Sequence, residues 1–478
     1  MQVKNYQYNR KNIQSGIIHI GVGNFHRAHE AFYTHLLLNE KDQQNWGICG
    51  VCLLPSDEKI VNALRSQNLD YTLTVYGRDG KDQTHLIGSI TELFWAAEGI
   101  QGILTKISES AIKIISLTIT EGGYNLDKAT NEFIITDEKI KHDLQYPKQP
   151  TTVFGIIAEG LRLRRDKGHG GITILSCDNL QHNGNTAKKA FAAFINVQDE
   201  ELKKWVDKNV SFPNSMVDRI TPATTAEDME RLNHKSGVND NALVYCEDFI
   251  QWVIEDNFMA GKPAWEKVGV EFTTDVTAYE NMKLSLLNAA HSLLAYPSFL
   301  IGYRKVDEAM QDKDILKLVR DFMDIDITPH VPAPEGTDLN LYKQTLVERF
   351  GNHSVSDQLS RLCYDGLSKF PVYIMPNLIK MIHHGQNLSR VAFLIASYRH
   401  YLKYQVDDLG QTYPIAEPWL AHEDSNYIDS DNPNDFLNLS AFKSIDLMTE
   451  ENFVALYHQF VSNIKSEGLK NTLNHLVN

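Results

Sequence analysis

The alternation of short apolar strands with helices constrains the fold more than any other feature of this sequence. Helical patterns at residues 58–65 and 153–165 stand between apolar runs, and a hairpin is predicted from residues 71–76 and 84–90 around Gly80. Continuous apolar strands separated by helices are typical of a parallel sheet covered on both faces. The four strands predicted to be buried are residues 17–20, 48–54, 112–119 and 172–177.

The pattern changes near residue 276, where strand-like runs give way to helical periodicity. We therefore predict an α/β protein with a Rossmann-like, doubly wound sheet domain at residues 1–276 and a mainly α-helical substrate and catalytic domain at residues 277–478. No long Pro- or Gly-rich linker separates them, so we expect close packing around a cleft. The helices predicted in the second domain are residues 283–296, 314–323, 341–350, 378–384, 391–404 and 452–466.

Charge and cysteine content exclude several classes of protein. The 61 acidic and 46 basic residues give a net charge of −15, which disfavours nucleic acid and anionic membranes as partners. We expect no signal peptide, and no uninterrupted apolar run approaches about 18 residues. The five cysteines suggest no disulfide framework. We expect a cytoplasmic monomer or weak homo-oligomer that acts on a small molecule.

Cys49 and Cys52 form a CxxC pattern, which raises the question of a metal site. The pattern lies inside a predicted strand, where residues three apart point to opposite faces. No second pair of Cys or His residues follows at zinc spacing. We predict small core residues and no metal.

A strand, Gly21-x-Gly23 and then a helix running through Leu38 form the start of a dinucleotide-binding fingerprint. The first glycine permits the turn, and the second lets the backbone approach a pyrophosphate at the helix N-terminus. His26 stands where the third glycine would be, so an ordinary strand–helix turn is the alternative.

Asp57 follows the second predicted strand, where a carboxylate would bond the adenosine ribose 2′-hydroxyl and repel a 2′-phosphate. We therefore predict NAD as the cofactor, although Lys59 and Arg65 leave some tolerance of NADP open. The residues predicted to bind the dinucleotide are Gly21, Gly23, Asn24, Phe25, Arg27 and Asp57.

The run from Tyr279 to His291 has no Gly or Pro and predicts a helix. At about 100° per residue, Glu280, Lys283, Asn288 and His291 fall within an arc of roughly 140°. A buried ammonium has a lowered pKa and becomes a usable general base near neutral pH. A solvated polar stripe on a core helix is the alternative.

Five sequence blocks occur in order along the chain: residues 21–29, 116–124, 176–180 and 212–222, and Lys283-x4-Asn288-x2-His291. Ser368-Lys369-Phe370-Pro371, with Arg361 upstream, extends the series. Together these blocks resemble the polyol-specific long-chain dehydrogenase/reductase family nearly end to end. The resemblance implies zinc-independent hydride transfer between NAD and the secondary alcohol of a polyol.

The resemblance also implies roles for individual residues. Lys283 would be the general base, and Glu280 would relay its proton. Asn179 and Asn288 would donate to the developing oxyanion, and His291 would position the substrate.

The same resemblance implies that Asp218, Arg361 and Lys369 bond the other hydroxyls of the substrate. One departure is that Ala289-Ala290 replace the Gly-Ser usual in the family, which bears on substrate preference and not on the chemistry. Asp218 paired with Arg219 would be a purely structural alternative.

Oxidation of D-mannitol to D-fructose is the reaction expected first. Fructuronate reduction (D-mannonate oxidoreduction) and D-arabinitol oxidation are alternatives within the family. Arg361 and Lys369 suit mannitol and fructuronate alike, so they do not decide between these two. A non-catalytic dinucleotide sensor would lack the catalytic residues, which are present here. A zinc alcohol dehydrogenase would need a Cys/His set at metal spacing, which the sequence does not show.

Overall fold

The computed structural model describes residues 2–127 and 130–478. The chain forms two compact units, Met1–Thr277 and Ala278–Asn478. The first combines sheets and helices, and the second is built from helices.

A six-stranded parallel sheet is the centre of the first unit. Its strand order is β6-β3-β2-β7-β8-β9. The chain enters the sheet at the central strand β2, adds β3 and β6 on one side, and then crosses back to add β7, β8 and β9 on the other side. This is the doubly wound order, in which ligands bind beyond the carboxyl ends of the strands at the switch point. The strands of this sheet are β2 (Ser15–Ile20), β3 (Gly47–Cys52), β6 (Ile90–Trp95), β7 (Ile114–Leu117), β8 (Ile172–Ser176) and β9 (Val210–Ser211).

Two smaller sheets complete the described strands. The predicted hairpin is confirmed, because β4 and β5 pair antiparallel. Its second strand is shorter than predicted, since it ends at Ile87, and Ile90 begins a separate strand beside β3. The strands of these sheets are β1 (Val3–Lys4), β4 (Tyr71–Tyr76), β5 (Gln83–Ile87) and β11 (Val244–Glu247), and β10 (Ser215–Asp218), β12 (Gln251–Glu255) and β13 (Glu271–Thr273).

Helices cover both faces of the parallel sheet. The single helix predicted through Leu38 is wrong, because His29 leaves helical geometry (φ −119°, ψ −91°) and divides it in two. The helices of this unit are α1 (Asn24–Ala28), α2 (Glu30–Leu37), α3 (Glu58–Ser66), α4 (Gln101–Ile107), α5 (Glu138–Gln145), α6 (Val153–Asp166), α7 (Asn183–Gln198), α8 (Glu200–Asn209) and α9 (Ala226–Ser236).

Alternate residues of the central strands enter two separate cores. Ile18 and Cys49 pack in one core, and Ile17 and Cys52 pack in the other. This alternation follows from the two-residue period of a strand. It confirms that Cys49 and Cys52 point to opposite faces, and all five cysteines are buried thiols.

The second unit, residues 278–478, contains helices and isolated β-bridges without a named strand. Its first long helical stretch is not regular, because Lys283–Asn288 form a π-helix. A second π-helical segment spans Phe322–Ile327. The α-helices are α10 (Thr277–Met282), α11 (Ala289–Ile301), α12 (Val306–Met310), α13 (Lys313–Asp321), α14 (Leu339–Phe350), α15 (Leu359–Cys363), α16 (Gly366–Tyr373), α17 (Met375–His383), α18 (Ser389–Tyr404), α19 (His422–Asp429), α20 (Pro433–Phe436) and α21 (Glu451–Val477).

The stretch Thr277–Ile301 is the core element of this unit. By length and composition alone it is apolar enough to cross a bilayer, but 89% of its apolar window is buried against the rest of the protein. The rest of the protein therefore already covers the apolar surface of this stretch, as is typical of a central core helix.

Gly184, in the first turn of α7, provides a test of the packing around the central sheet. A Cβ there would lie 2.4 Å from the Pro213 carbonyl oxygen. Gly184→Ala should therefore lower the free energy of unfolding by about 1–3 kcal/mol, measured by urea denaturation. Gly170→Ala is the matched control, because its Cβ would meet nothing within 4 Å, and it should change stability by less than about 0.5 kcal/mol. Equal effects of the two substitutions would contradict the packing described.

Candidate active site

The loop after β2 shows why glycine is needed at position 21. Gly21 has φ +102°, and a Cβ there would lie 2.2 Å from the carbonyl oxygen of Thr118. Its N–H donates to Val51 at 3.0 Å, and its carbonyl accepts from the Gly23 N–H at 2.7 Å. The loop lies at the carboxyl ends of β2 and β7, at the switch point of the sheet. Only glycine, which has no side chain, fits at position 21.

Asn24 and Arg27 hold this loop in place. Arg27 is 4% exposed and donates to the Gly23 carbonyl at 3.3 Å and to the Asn24 side chain at 2.6 Å. The Asn24 amide donates to the Pro222 carbonyl at 3.3 Å. Phe25 stacks on His29, with ring centroids 4.9 Å apart. Buried Arg27 thus acts within the protein, and contact of these side chains with a dinucleotide stays a prediction.

A buried network of His19, His26 and Glu30 lies beneath the loop. His19 Nδ1 is 2.8 Å from a Glu30 oxygen, and its Nε2 is 3.0 Å from the Gly21 carbonyl oxygen. Burial raises the pKa of Glu30, but the two neighbouring histidines outweigh it and hold the pKa below its ordinary value. Burial lowers the pKa of His26 to about 3. Glu30 is therefore an anion buried directly under the turn.

The three side chains of this network are ligand types for metals, and their atoms lie within 4.8 Å of one another. However, the rings of His19 and His26 are stacked, with centroids 3.4 Å apart and planes 13° from parallel. Stacked rings direct their nitrogens in parallel planes, so the nitrogens do not converge tetrahedrally on one ion as zinc requires. The cluster is better explained as support for the loop.

The segment after β7 is held by Asp178, at the end of β8. The backbone N–H groups of Ile119 and Thr120 donate to its carboxylate at 3.2 and 2.9 Å. Tyr124 donates its hydroxyl to the same group at 2.7 Å. Thr120 has φ 67° and ψ 164°, a region that is otherwise nearly restricted to glycine. Thr120 is bonded to Asp178, which precedes Asn179 in the sequence, and its strained backbone marks a segment whose shape is imposed by its surroundings.

Asp57 ends a short 3₁₀ turn, Pro55–Asp57, directly after β3. Its carboxylate accepts from the Leu54 N–H at 2.9 Å, and the side chain is partly exposed. Because β3 lies beside β2, Asp57 and Gly21 share the carboxyl edge of the sheet. The Arg65 guanidinium pairs with Glu98 through two hydrogen bonds of 2.6 and 2.7 Å.

Asn179 and Asp218 also belong to the first unit. Asn179 is half-buried and follows β8, and Asp218 is 3% exposed at the end of β10. The Arg219 guanidinium donates to the carbonyls of Glu247 and Ala28, at 3.1 and 2.6 Å. These bonds give Arg219 partners in the backbone.

In the second unit, the candidate catalytic residues lie along one helical stretch, and three of them are buried. Glu280 is 2%, Lys283 4% and His291 8% exposed. The arc of about 140° predicted at 100° per residue is wrong in detail, because the turn from Lys283 to Asn288 is π-helical and wider than an α-helical turn. Such π segments occur often at functional sites.

Asn288 ends the π-helical segment, and its side-chain oxygen is buried without a hydrogen-bond partner among the described residues. The ring of His291, one turn further, packs on Phe350 with centroids 4.3 Å apart. A buried amide oxygen that lacks a partner is costly for a fold and calls for an explanation in function.

The short helix α15 brings Arg361 and Lys369 together. Lys369 Nζ, from α16, donates to the carbonyls of Leu362 at 3.1 Å and Arg361 at 3.4 Å. The Arg361 guanidinium donates two parallel hydrogen bonds to the Asp357 carboxylate, one of them 2.8 Å long. Burial raises the pKa of Asp357, but Arg361 and then His291 lower it below its ordinary value. Asp357 thus bonds one predicted site residue, Arg361, and is within electrostatic reach of a second, His291.

Sequence reasoning missed Asp178, Asp357 and the His19–Glu30 pair. The only sequence indication of Asp178 was its place beside Asn179 in the block at residues 176–180. Asp357 stands four residues before Arg361, a spacing that allows an ion pair on a helix. Asp178 acts through backbone groups 58 and 59 residues away, which spacing alone does not reveal.

Family comparisons agree with this architecture over most of the chain. The mannitol dehydrogenase Rossmann domain matches residues 15–267, and the mannitol dehydrogenase C-terminal domain matches residues 275–465. The chain belongs to the mannitol dehydrogenase family and is an oxidoreductase.

Individual relatives show how wide the family is. The polyol:NADP oxidoreductase of Gluconobacter oxydans is 41% identical, over 93% of this chain and 92% of its own length. The D-mannonate oxidoreductase of Escherichia coli is 37% identical, over 94% and 92%. The solved Pseudomonas fluorescens mannitol 2-dehydrogenase, a ternary complex with NAD and D-mannitol, is similar with a TM-score of 0.96 and 42% identity, over 100% of this chain and 97% of that one.

The pKa of Asp178 predicts how stability depends on pH. Burial, and then the charge of Glu121, raise this pKa from 3.8 to about 7. The unfolded chain releases the proton near pH 4 and the folded protein only near 7, so stability should fall as the pH rises between these values. The loss would reach at most about 4 kcal/mol. Urea denaturation of Asp178→Asn at pH 5 to 8 should show a shallower slope than wild type.

The exposed Glu138 supplies the control for this measurement. Glu138→Gln should reproduce the wild-type dependence of stability on pH. An Asp178→Asn slope identical to that of wild type would show that Asp178 is not the group that titrates.

Proposed function

We propose that the chain catalyses the NAD-dependent oxidation of D-mannitol to D-fructose and the reverse reduction. The observation that carries the proposal is the buried side chain of Lys283, on a π-helical turn that ends at Asn288. The amide oxygen of Asn288 has no hydrogen-bond partner among the described residues. The similarity to an enzyme solved with NAD and D-mannitol supports the choice of both ligands. Measurement of NADH formation across mannitol, sorbitol, arabinitol and mannonate tests it directly.

The first unit fits a dinucleotide. The close approach of Gly21 to Thr118 leaves a bare backbone at the switch point, where a pyrophosphate would lie, and Asp57 lies at the same edge. When bound, the nicotinamide would accept the hydride from the substrate carbon. The residues proposed to hold the cofactor are Gly21, Gly23, Asn24, Phe25, Arg27 and Asp57.

Lys283 is the proposed general base. A neutral amine can accept the hydroxyl proton of the alcohol, and the resulting ammonium can return it to the ketone in the reverse reaction. Glu280, buried one turn earlier, is the proposed relay for this proton. We further propose that no metal takes part, because a lysine and amide donors can supply the acid–base and electrostatic steps.

Two amides are the proposed oxyanion donors. Asn179 and Asn288 would each present N–H groups to the oxygen as it gains charge, and preorganised donors of this kind contribute roughly 3 kcal/mol each. His291 is proposed to position the substrate.

Asp218, Arg361 and Lys369 are proposed to bond the remaining hydroxyl groups of the substrate. A polyol needs several fixed donors and acceptors, and these three side chains supply both. The D-mannonate oxidoreductase and the polyol:NADP oxidoreductase among the relatives leave D-mannonate or another polyol, such as D-arabinitol, as alternative substrates. The substrate panel decides between them.

Replacement of Lys283 by Met tests the proposed base. Lys283→Met should lower the kcat of mannitol oxidation by several orders of magnitude while NADH binding, measured by fluorescence titration, stays nearly unchanged. Wild-type oxidation should rise with pH, since only the neutral amine accepts a proton, and ketose reduction should favour lower pH. Lys317→Met, on the surface-exposed pair with Asp321, should retain wild-type kinetics. Near wild-type oxidation by Lys283→Met would refute the role.

Replacement of Asp57 by Ala tests the cofactor preference. Removing the carboxylate removes a bond to the ribose diol and a repulsion of the 2′-phosphate, so the ratio of kcat/KM with NAD to that with NADP should fall about tenfold or more. Asp42→Ala removes a carboxylate that is 66% exposed and should leave the ratio unchanged. If the ratio in Asp57→Ala equals that of wild type, another group selects the cofactor.

A further inference from the structure

Asp357 gives Arg361 a partner before any substrate arrives. Arg361 Nε donates to Asp357 Oδ1 at 2.8 Å, and Nη2 donates to Oδ2, so one edge of the guanidinium is fully engaged. The carboxylate also accepts from the Gln358 N–H at 2.8 Å. Asp357 is 5% exposed, whereas the Arg361 side chain is 37% exposed. Arg361 is therefore partly exposed to solvent, while the carboxylate that holds it is buried.

The charges of this pair cancel. Arg361, with His291 in addition, lowers the pKa of Asp357 against the effect of burial, so the carboxylate is ionised at working pH. Arginine is always protonated in this range. Lys369 is a cation next to the pair, with Nζ bonded to the carbonyls of Arg361 and Leu362.

The Asp357–Arg361 pair should affect the binding of sugar acids and of uncharged polyols differently. The carboxylate of a sugar acid binds best along one of the two edges of a guanidinium, through two parallel hydrogen bonds. One edge of Arg361 belongs to a cation whose charge Asp357 already neutralises, and the other, the Nε–Nη2 edge, is occupied by Asp357 itself. To use that edge it would have to leave Asp357 buried and unpaired, or place two carboxylates side by side, and both are costly. A polyol or ketose needs only single hydrogen bonds and disturbs nothing.

We propose that Asp357 is a specificity-determining residue that makes the chain select uncharged polyols over sugar acids by neutralising and orienting Arg361. The inference rests on the proposed function, in which Arg361 meets the substrate. Asp357 acts through Arg361 and is a positioning residue.

The test compares kcat/KM for D-mannitol and D-mannonate in wild type and in Asp357→Asn, at saturating NAD. Wild type should prefer mannitol by at least 100-fold. In Asp357→Asn the arginine charge is no longer compensated, so kcat/KM for mannonate should rise about tenfold while that for mannitol falls severalfold. Asp357→Glu keeps the charge and should retain the wild-type preference.

Opposite changes for the two substrates separate a role in specificity from damage to the fold, because damage would lower both values together. Asp357→Ser removes the same charge with a smaller side chain and serves if the asparagine variant does not fold. A common fall with both substrates, or a wild-type preference for mannonate, would overturn the inference. If wild type oxidises mannitol and neither variant changes the ratio, only this inference fails. If wild type oxidises no polyol, the proposed function fails and the inference fails with it.

Discussion

The close approach of Gly21 to the Thr118 carbonyl is the contact on which the switch point of the first unit depends. A side chain at Gly21 would collide with backbone at 2.2 Å, so the ends of β2 and β7 can meet only if this position is glycine. The Thr118 hydroxyl then donates to the Gly21 carbonyl at 2.7 Å, and Asp178 holds the next two residues. A strained Thr120 is kept because these bonds outweigh its cost. The loop after β2 and the segment after β7 are thus held by contacts within the first unit.

Buried charge organises both units in a similar way. In the first unit, Glu30 is an anion stabilised by two histidines beneath the Gly21 loop. In the second unit, Asp357 is an anion stabilised by Arg361 and His291. In each case a carboxylate without partners would be costly to bury, so it fixes the positions of the groups around it. Glu30 in this way supports the Gly21 loop through His19, and Asp357 holds Arg361.

Local pattern predicted some elements well and failed at others for identifiable reasons. The hairpin of β4 and β5 and the helix α3 follow the periodicity of the sequence, because side-chain alternation and turn residues are local properties. The break at His29 and the π-helical turn from Lys283 are different. Neither position carries a Gly or Pro, so propensity predicts an uninterrupted helix, and packing against other elements decides otherwise.

The sequence by itself determined the class of fold and the candidate catalytic residues. Apolar periodicity specifies strands and helices, and a lysine, an amide and a histidine within one short stretch indicate proton transfer. Only the tertiary structure decided which acids support them. Asp178 bonds backbone groups 58 and 59 residues away, and Glu30 meets His19 across a loop. Such pairings depend on the order of the strands in the sheet and on which polar groups are buried next to each other. The spacing of residues in the sequence encodes neither.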